Sequence, residues 1–85
     1  MPNNQLRMEL VVINMQPRQR VSDKHYMVLE FDAKYNNQVY KFKTYKSTIM
    51  NMITVGEIID VNVQLRPLRA GGYNTEVERV VTEIH

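Results

Sequence analysis

Tyr26-Met27-Val28-Leu29-Glu30-Phe31-Asp32 and, after a short polar gap, Val39-Tyr40-Lys41-Phe42-Lys43-Thr44-Tyr45 are two runs that alternate in polarity. Successive side chains of a strand point to opposite faces. The first run therefore sends Met27, Leu29 and Phe31 to one side. The second sends Tyr40 and Phe42 to one side and Lys41, Lys43 and Tyr45 to the other. Each is expected to be a strand with one dry and one wet face. Tyr35-Asn36-Asn37-Gln38 supplies turn residues between them, so the pair is expected to form a hairpin. A wet sheet face carrying lysines and tyrosine has the chemistry needed to hold single-stranded nucleic acid.

Upstream, Arg7 to Met15 reads as a first strand, apolar on both faces near its middle, as in a strand packed on both sides. Residues 1–6 are expected to fray. Gln16 to Lys24 is a polar loop opened by Pro17, and the second strand runs from about His25 to Ala33. Downstream the period changes. Ile49, Met50, Met52 and Ile53 suit one face of a short helix, with Ser47 or Thr48 as its cap. From Glu57 to Arg66 the alternation is clean again, with Ile59, Val61, Val63 and Leu65 on one side. Pro67 to Asn74 is a loop with Gly71-Gly72 at its tip. Val77, Val80, Val81 and Ile84 would fit a helix by spacing. Their β-branching favours a strand with a bulge, and a fifth strand would close an otherwise exposed edge.

The order β-β-β-short α-β-β is that of an OB-fold, an all-β, five-stranded Greek-key barrel with a short helix between strands three and four. Ile53-Thr54-Val55-Gly56-Glu57-Ile58-Ile59-Asp60-Val61-Asn62-Val63 resembles the entry into strand four of bacterial and phage single-stranded DNA-binding proteins. Tyr73-Asn74-Thr75-Glu76-Val77 resembles the start of their fifth strand. The small primosomal OB proteins are similar in size and plan. The resemblance implies a DNA-binding role in replication, recombination or repair, in a phage, plasmid or bacterium. The chain departs from that pattern in having no tryptophan and no acidic tail after the last strand, which leaves partner recruitment through such a tail without support.

Composition narrows the classes. Eighty-five residues make a single domain, 1–85, and a domain this small buries only about 60–65% of its unfolded surface. Without cysteine there is no disulfide, thiolate metal site or cysteine nucleophile. Neither a membrane-length apolar stretch nor a signal peptide is visible, so a soluble cytoplasmic protein is expected. The net charge of +2 is small but regional. Between Lys34 and Arg69 there are six Lys/Arg and two acids, whereas Thr75 to His85 holds three glutamates and one arginine. This implies a basic stripe with an acidic counterpart.

OB domains that bind oligonucleotides use the face of strands two and three, flanked by the 1–2 and 4–5 loops. The face here offers Tyr26, Lys41, Lys43 and Tyr45, loop 1–2 offers Arg18, Arg20 and Lys24, and loop 4–5 offers Arg66, Arg69 and Tyr73. The cations would take phosphates and the tyrosines would stack bases. Each has a plainer reading: tyrosines at a barrel rim, lysines guarding an edge, arginines solvating a loop. Met8, Met15, Met27, Met50 and Met52 are expected as core filler. Catalysis has no support, because His25 lacks a nucleophile or second ligand nearby, and no metal or cofactor motif is present. The expected substrate is single-stranded DNA with little sequence preference, with RNA as the alternative sugar type. Homo-oligomers would add contacts through multivalency. The rival reading is a protein-interaction barrel of a replication or phage assembly, using Val28, Val39 and Ile58 as a partner patch.

Overall fold

A computed structural model of the chain describes residues 5–21, 25–67 and 77–85. Its elements in chain order are β1 (Gln5–Met15), β2 (Gln19–Arg20), β3 (Met27–Tyr35), β4 (Gln38–Thr44), α1 (Ser47–Met50), β5 (Ile58–Pro67) and β6 (Val77–Ile84). The spatial order β1-β5-β6-β4-β3 returns to β1 through a β1–β3 pairing, so five long strands close a barrel. All neighbours are antiparallel except β4 and β6. Those two meet in one parallel bridge, Lys43 with Val80, so the barrel is only partly sealed along that seam. This is the OB-fold topology, as the sequence order implied.

β1 closes the barrel by serving two partners. It pairs with β5 from Gln5 to Val11 and with β3 from Val11 to Met15. The register slips between Val12 and Asn14, leaving Ile13 as a bulged residue where the strand changes neighbours. The strand starts two residues earlier than expected. Its outer apolar side chains, Val11 and Ile13, are exposed rather than packed on both sides.

The inward alternation holds on β1, β3, β4 and β5, while on the bulged β6 the adjacent Val80 and Val81 are both buried. Leu10 and Val12, Phe31 and Ala33, Phe42, Val61 and Val63, and Val81 form the core, joined by Ile49, Met50 and Ile53 around the short helix. Phe31 and Phe42 are cross-strand partners whose rings stack at 5.7 Å. Removing such side chains from water is the main force closing a barrel of this size. The β3–β4 turn falls on Asn36 and Asn37, both at positive φ, which asparagine tolerates better than most residues. The bulge expected in the last strand is present. Thr82 is skipped between Glu83, opposite Asn62, and Val81, opposite Val63.

Some expectations at the helix are corrected. Neither Ser47 nor Thr48 caps α1; the N-cap is Lys46, which makes no side-chain capping bond. Instead the buried Thr44 hydroxyl accepts from the Lys46 N–H at 3.3 Å and donates to the Val81 carbonyl at 3.0 Å. Met52 is exposed, because the helix ends at Met50 and its face does not continue. Met15 and Met27, at strand ends, are exposed as well, so only Met8 and Met50 among the five are core. Among the described residues no helix is long and apolar enough to cross a membrane.

Candidate nucleic-acid interface

Directly opposed residues of an antiparallel ladder share a face, so the register decides what surrounds each lysine. Lys43 stands opposite Glu30 and Lys41 opposite Asp32. Across the parallel seam, Lys43 Nζ lies 3.0 Å from Glu78 Oε1 and 3.5 Å from Glu30 Oε2. Its side chain is only 21% exposed. Burial alone would lower the Lys43 pKa; the hydrogen bond and charge of Glu78, with Tyr45 and Glu30, outweigh it and hold the ammonium above its ordinary value. Lys43 is therefore already clamped between two carboxylates.

The pattern extends across the seam. One row carries Glu30, Lys43, Val80 and Gln64. Two residues further along, Asp32 pairs with Lys41 on one side of the seam and Glu78 with Arg66 on the other, a second row if the single parallel bridge is continued. In that second row the charge changes sign at every strand. Arg66 also donates from Nε to Gln64 Oε1 at 3.0 Å. Acids and bases thus alternate in register across the face, a checkerboard rather than a cationic stripe, with ion pairs formed at Lys43 and none by Lys41 or Arg66 among the described residues. Strand-by-strand alternation does not reveal this, because the acids and bases that compensate each other lie on different strands.

At the start of β3 the surroundings differ. Tyr26 and Tyr45 meet edge to face, with ring centroids 5.7 Å apart and planes at 88°. They line an open cleft of about 280 Å³ together with Arg18, His25, Met27 and Met50, and among the described residues no lining residue is acidic. Arg18 Nη2 donates to Asn51 Oδ1 at 2.7 Å, which ties the loop after β1 to the end of α1. The two-residue β2 pins the same loop against β3, pairing Gln19 with Val28 and Arg20 with Met27. The Val21 N–H adds a bond to the Tyr26 carbonyl at 3.1 Å. Arg18, Arg20 and Lys46 are all exposed here and form no ion pair among the described residues.

The structure therefore brings together Arg18, Arg20, Tyr26 and Tyr45, and places Lys41, Lys43 and Arg66 on the checkerboard face. Lys24, Arg69, Tyr73 and the Gly71-Gly72 tip lie outside the described residues. Sequence reasoning left out Lys46 and Asn51. Lys46 directly follows Tyr45 and extends the Lys41, Lys43 series past the strand end, a signal available in the chain itself. Asn51 has none, since its role depends on where the helix ends.

Acidic groups gather around a separate depression of about 340 Å³ lined by Glu9, Glu57, Asp60 and His85 with Met52 and Ile58. Asp60 there takes a two-pronged bond from Arg7 at 3.0 and 2.8 Å. No group of acids and histidines suited to a metal ion occurs among the described residues. No known protein family, curated protein or solved structure matches the chain.

Proposed function

We propose that this protein binds single-stranded nucleic acid, DNA in the first instance, at the end of the barrel where β3 begins. The observation that carries the reading is the Tyr26–Tyr45 cleft, lined by Arg18, with exposed Arg20 opposite Met27 and exposed Lys46 next to Tyr45 in the chain, and with no acid in its lining among the described residues. Aromatic faces stack bases of any identity at about 1–3 kcal/mol each. The cations bring phosphates close and release condensed counterions. A duplex keeps its base faces stacked inside, so it offers this cleft little. Replication, recombination or repair is the setting such an activity suits. A homo-oligomer would multiply a footprint that is small in one copy.

The test is fluorescence anisotropy with labelled oligo-dT, oligo-U and a duplex at two salt concentrations. Tight oligo-dT binding that weakens with salt, and weak duplex binding, are the expected results. Tyr26→Leu and Tyr45→Leu should each weaken oligo-dT binding by about 1–3 kcal/mol without unfolding the barrel. Absence of oligonucleotide binding at low salt, or full binding by both variants, removes the proposal.

A second reading has its own observation. Ile58 is opposite Val11, Val11 opposite Lys34, and Lys34 opposite Val39, so one outer row crosses four strands. Its apolar members are 65%, 38% and 55% exposed. That row suits a protein partner. Val28, expected in the same patch, lies toward the other end of β3 beside Gln19. Ile58→Lys leaves oligonucleotide binding unchanged under the first reading and abolishes partner capture under the second.

A further inference from the structure

Building on the proposed single-strand binding, we infer that the Tyr26–Tyr45 cleft is a subsite for one base and that it favours guanine. Two rings at 88° cannot both stack on the same base plane. One ring takes the base face and the other supplies an edge, so the pair holds one base rather than sandwiching two. Met27 and Met50 provide polarizable apolar lining against which a flat ring packs.

The polar lining is rich in donors. Arg18 is held by Asn51 through Nη2, which fixes its guanidinium and leaves its other N–H groups available. Asn51, whose Oδ1 accepts that bond, is not itself among the residues that line the cleft. Ser47 and His25 add groups of either polarity, and among the described residues no carboxylate lines the cleft. A fixed guanidinium fork matches the adjacent O6 and N7 acceptors of guanine. An unpaired cytosine also offers adjacent acceptors, N3 and O2, with its amino group beside them, and should follow; thymine and uracil separate their two carbonyls by an N–H, and adenine sets its amino group beside N1 and N7, so these should bind least. Arg18 is thereby a specificity residue that also adds its charge to those of the sequence-neutral cations Arg20 and Lys46.

The experiment is competition anisotropy on the full chain, using oligo-dT with one central position set to dG, dA, dC or dT. A single dG should outcompete a single dA or dT by about five- to tenfold, the lower part of the range for a bidentate arginine–guanine contact, with dC between them. Arg18→Lys keeps the charge but loses the fork, so it should level the four oligonucleotides while preserving the salt dependence. Asn51→Ala should narrow the preference by freeing Arg18. Equal binding of all four by the unmodified protein overturns the guanine subsite and leaves single-strand binding standing. Failure of every oligonucleotide to bind overturns both. A preference that survives in Arg18→Lys also overturns the assignment, because something other than the guanidinium would then be reading the base.

Discussion

Thr44 is the one buried polar side chain among the described residues, and its hydroxyl joins three elements. It donates to β6 at Val81 and accepts from the first residue ahead of α1, at the seam where β4 and β6 share a single bridge. Thr44→Val keeps the shape and strands the Val81 carbonyl, which should cost about 1–3 kcal/mol in urea unfolding. Thr44→Ser keeps the hydroxyl and should cost less; equal losses would mean the methyl group, not the bond, matters. Asp60 gives a pH signature. The hydrogen bond from Arg7 holds its carboxyl below the usual range, burial opposes this, and the charges of Arg7 and His85 add to the lowering. A depressed folded pKa contributes stability that is present above the unfolded value of about 3.9 and fades as pH falls through the folded value. Asp60→Asn should therefore be less stable than the parent at pH 7, and the two should converge as pH falls through the depressed folded value, below the unfolded value of about 3.9. A stability difference that persists unchanged in acid would show that the pair is not responsible.

At the scale of elements, the sheet face decides how much charge a ligand meets. Glu78 on β6 reaches Lys43 on β4 more closely than Glu30 on the neighbouring strand does. Glu78→Gln keeps the shape but leaves Lys43 with only the longer contact, restoring a net positive charge to the face. Oligo-dT should then bind more tightly, with a salt slope steeper by about 0.7 if Lys43 takes one phosphate. The cost in stability should be about 1 kcal/mol or less, since both side chains keep some water contact. Unchanged affinity would show that the strand never crosses this face. The same strands show which features the sequence makes legible. Alternation located β3, β4 and β5, and the clash between helical spacing and β-branching in Val77, Val80, Val81 and Ile84 located a bulged β6. Register was not legible, because it is a relation between strands. Hence Lys41 and Lys43 read as a free cationic stripe although Asp32 and Glu30 face them. Nor was β2, two polar residues whose pairing exists only because β3 is already in place.

On the whole molecule, charge is sorted by position around the barrel: exposed cations at the Tyr26–Tyr45 end, a checkerboard across the β3–β4–β6 face, and acids around Asp60. The OB topology follows from element order alone, so it could be read without side-chain detail. Of the candidate site, the sequence made legible the residues that the hairpin and its preceding loop bring together, Arg18, Tyr26 and Tyr45, and not the compensation that comes from elsewhere in the chain. This sorting sets a quantitative expectation. Each phosphate neutralised on a single strand contributes about 0.7 to the slope of log affinity against log salt. If Arg18, Arg20 and Lys46 are the cations that act, the slope is about −2, and affinity falls about twentyfold from 50 to 200 mM salt. If all seven cations expected from the sequence acted together, the slope would be about −5 and the fall about a thousandfold. Titrating oligo-dT across that interval separates the two. A slope near −5 would mean that phosphates displace Glu78 and Glu30 from Lys43, so that the face becomes cationic only in the complex. A slope near −2 that flattens further in Arg20→Gln and Lys46→Gln would place the phosphates at the cleft and nowhere else.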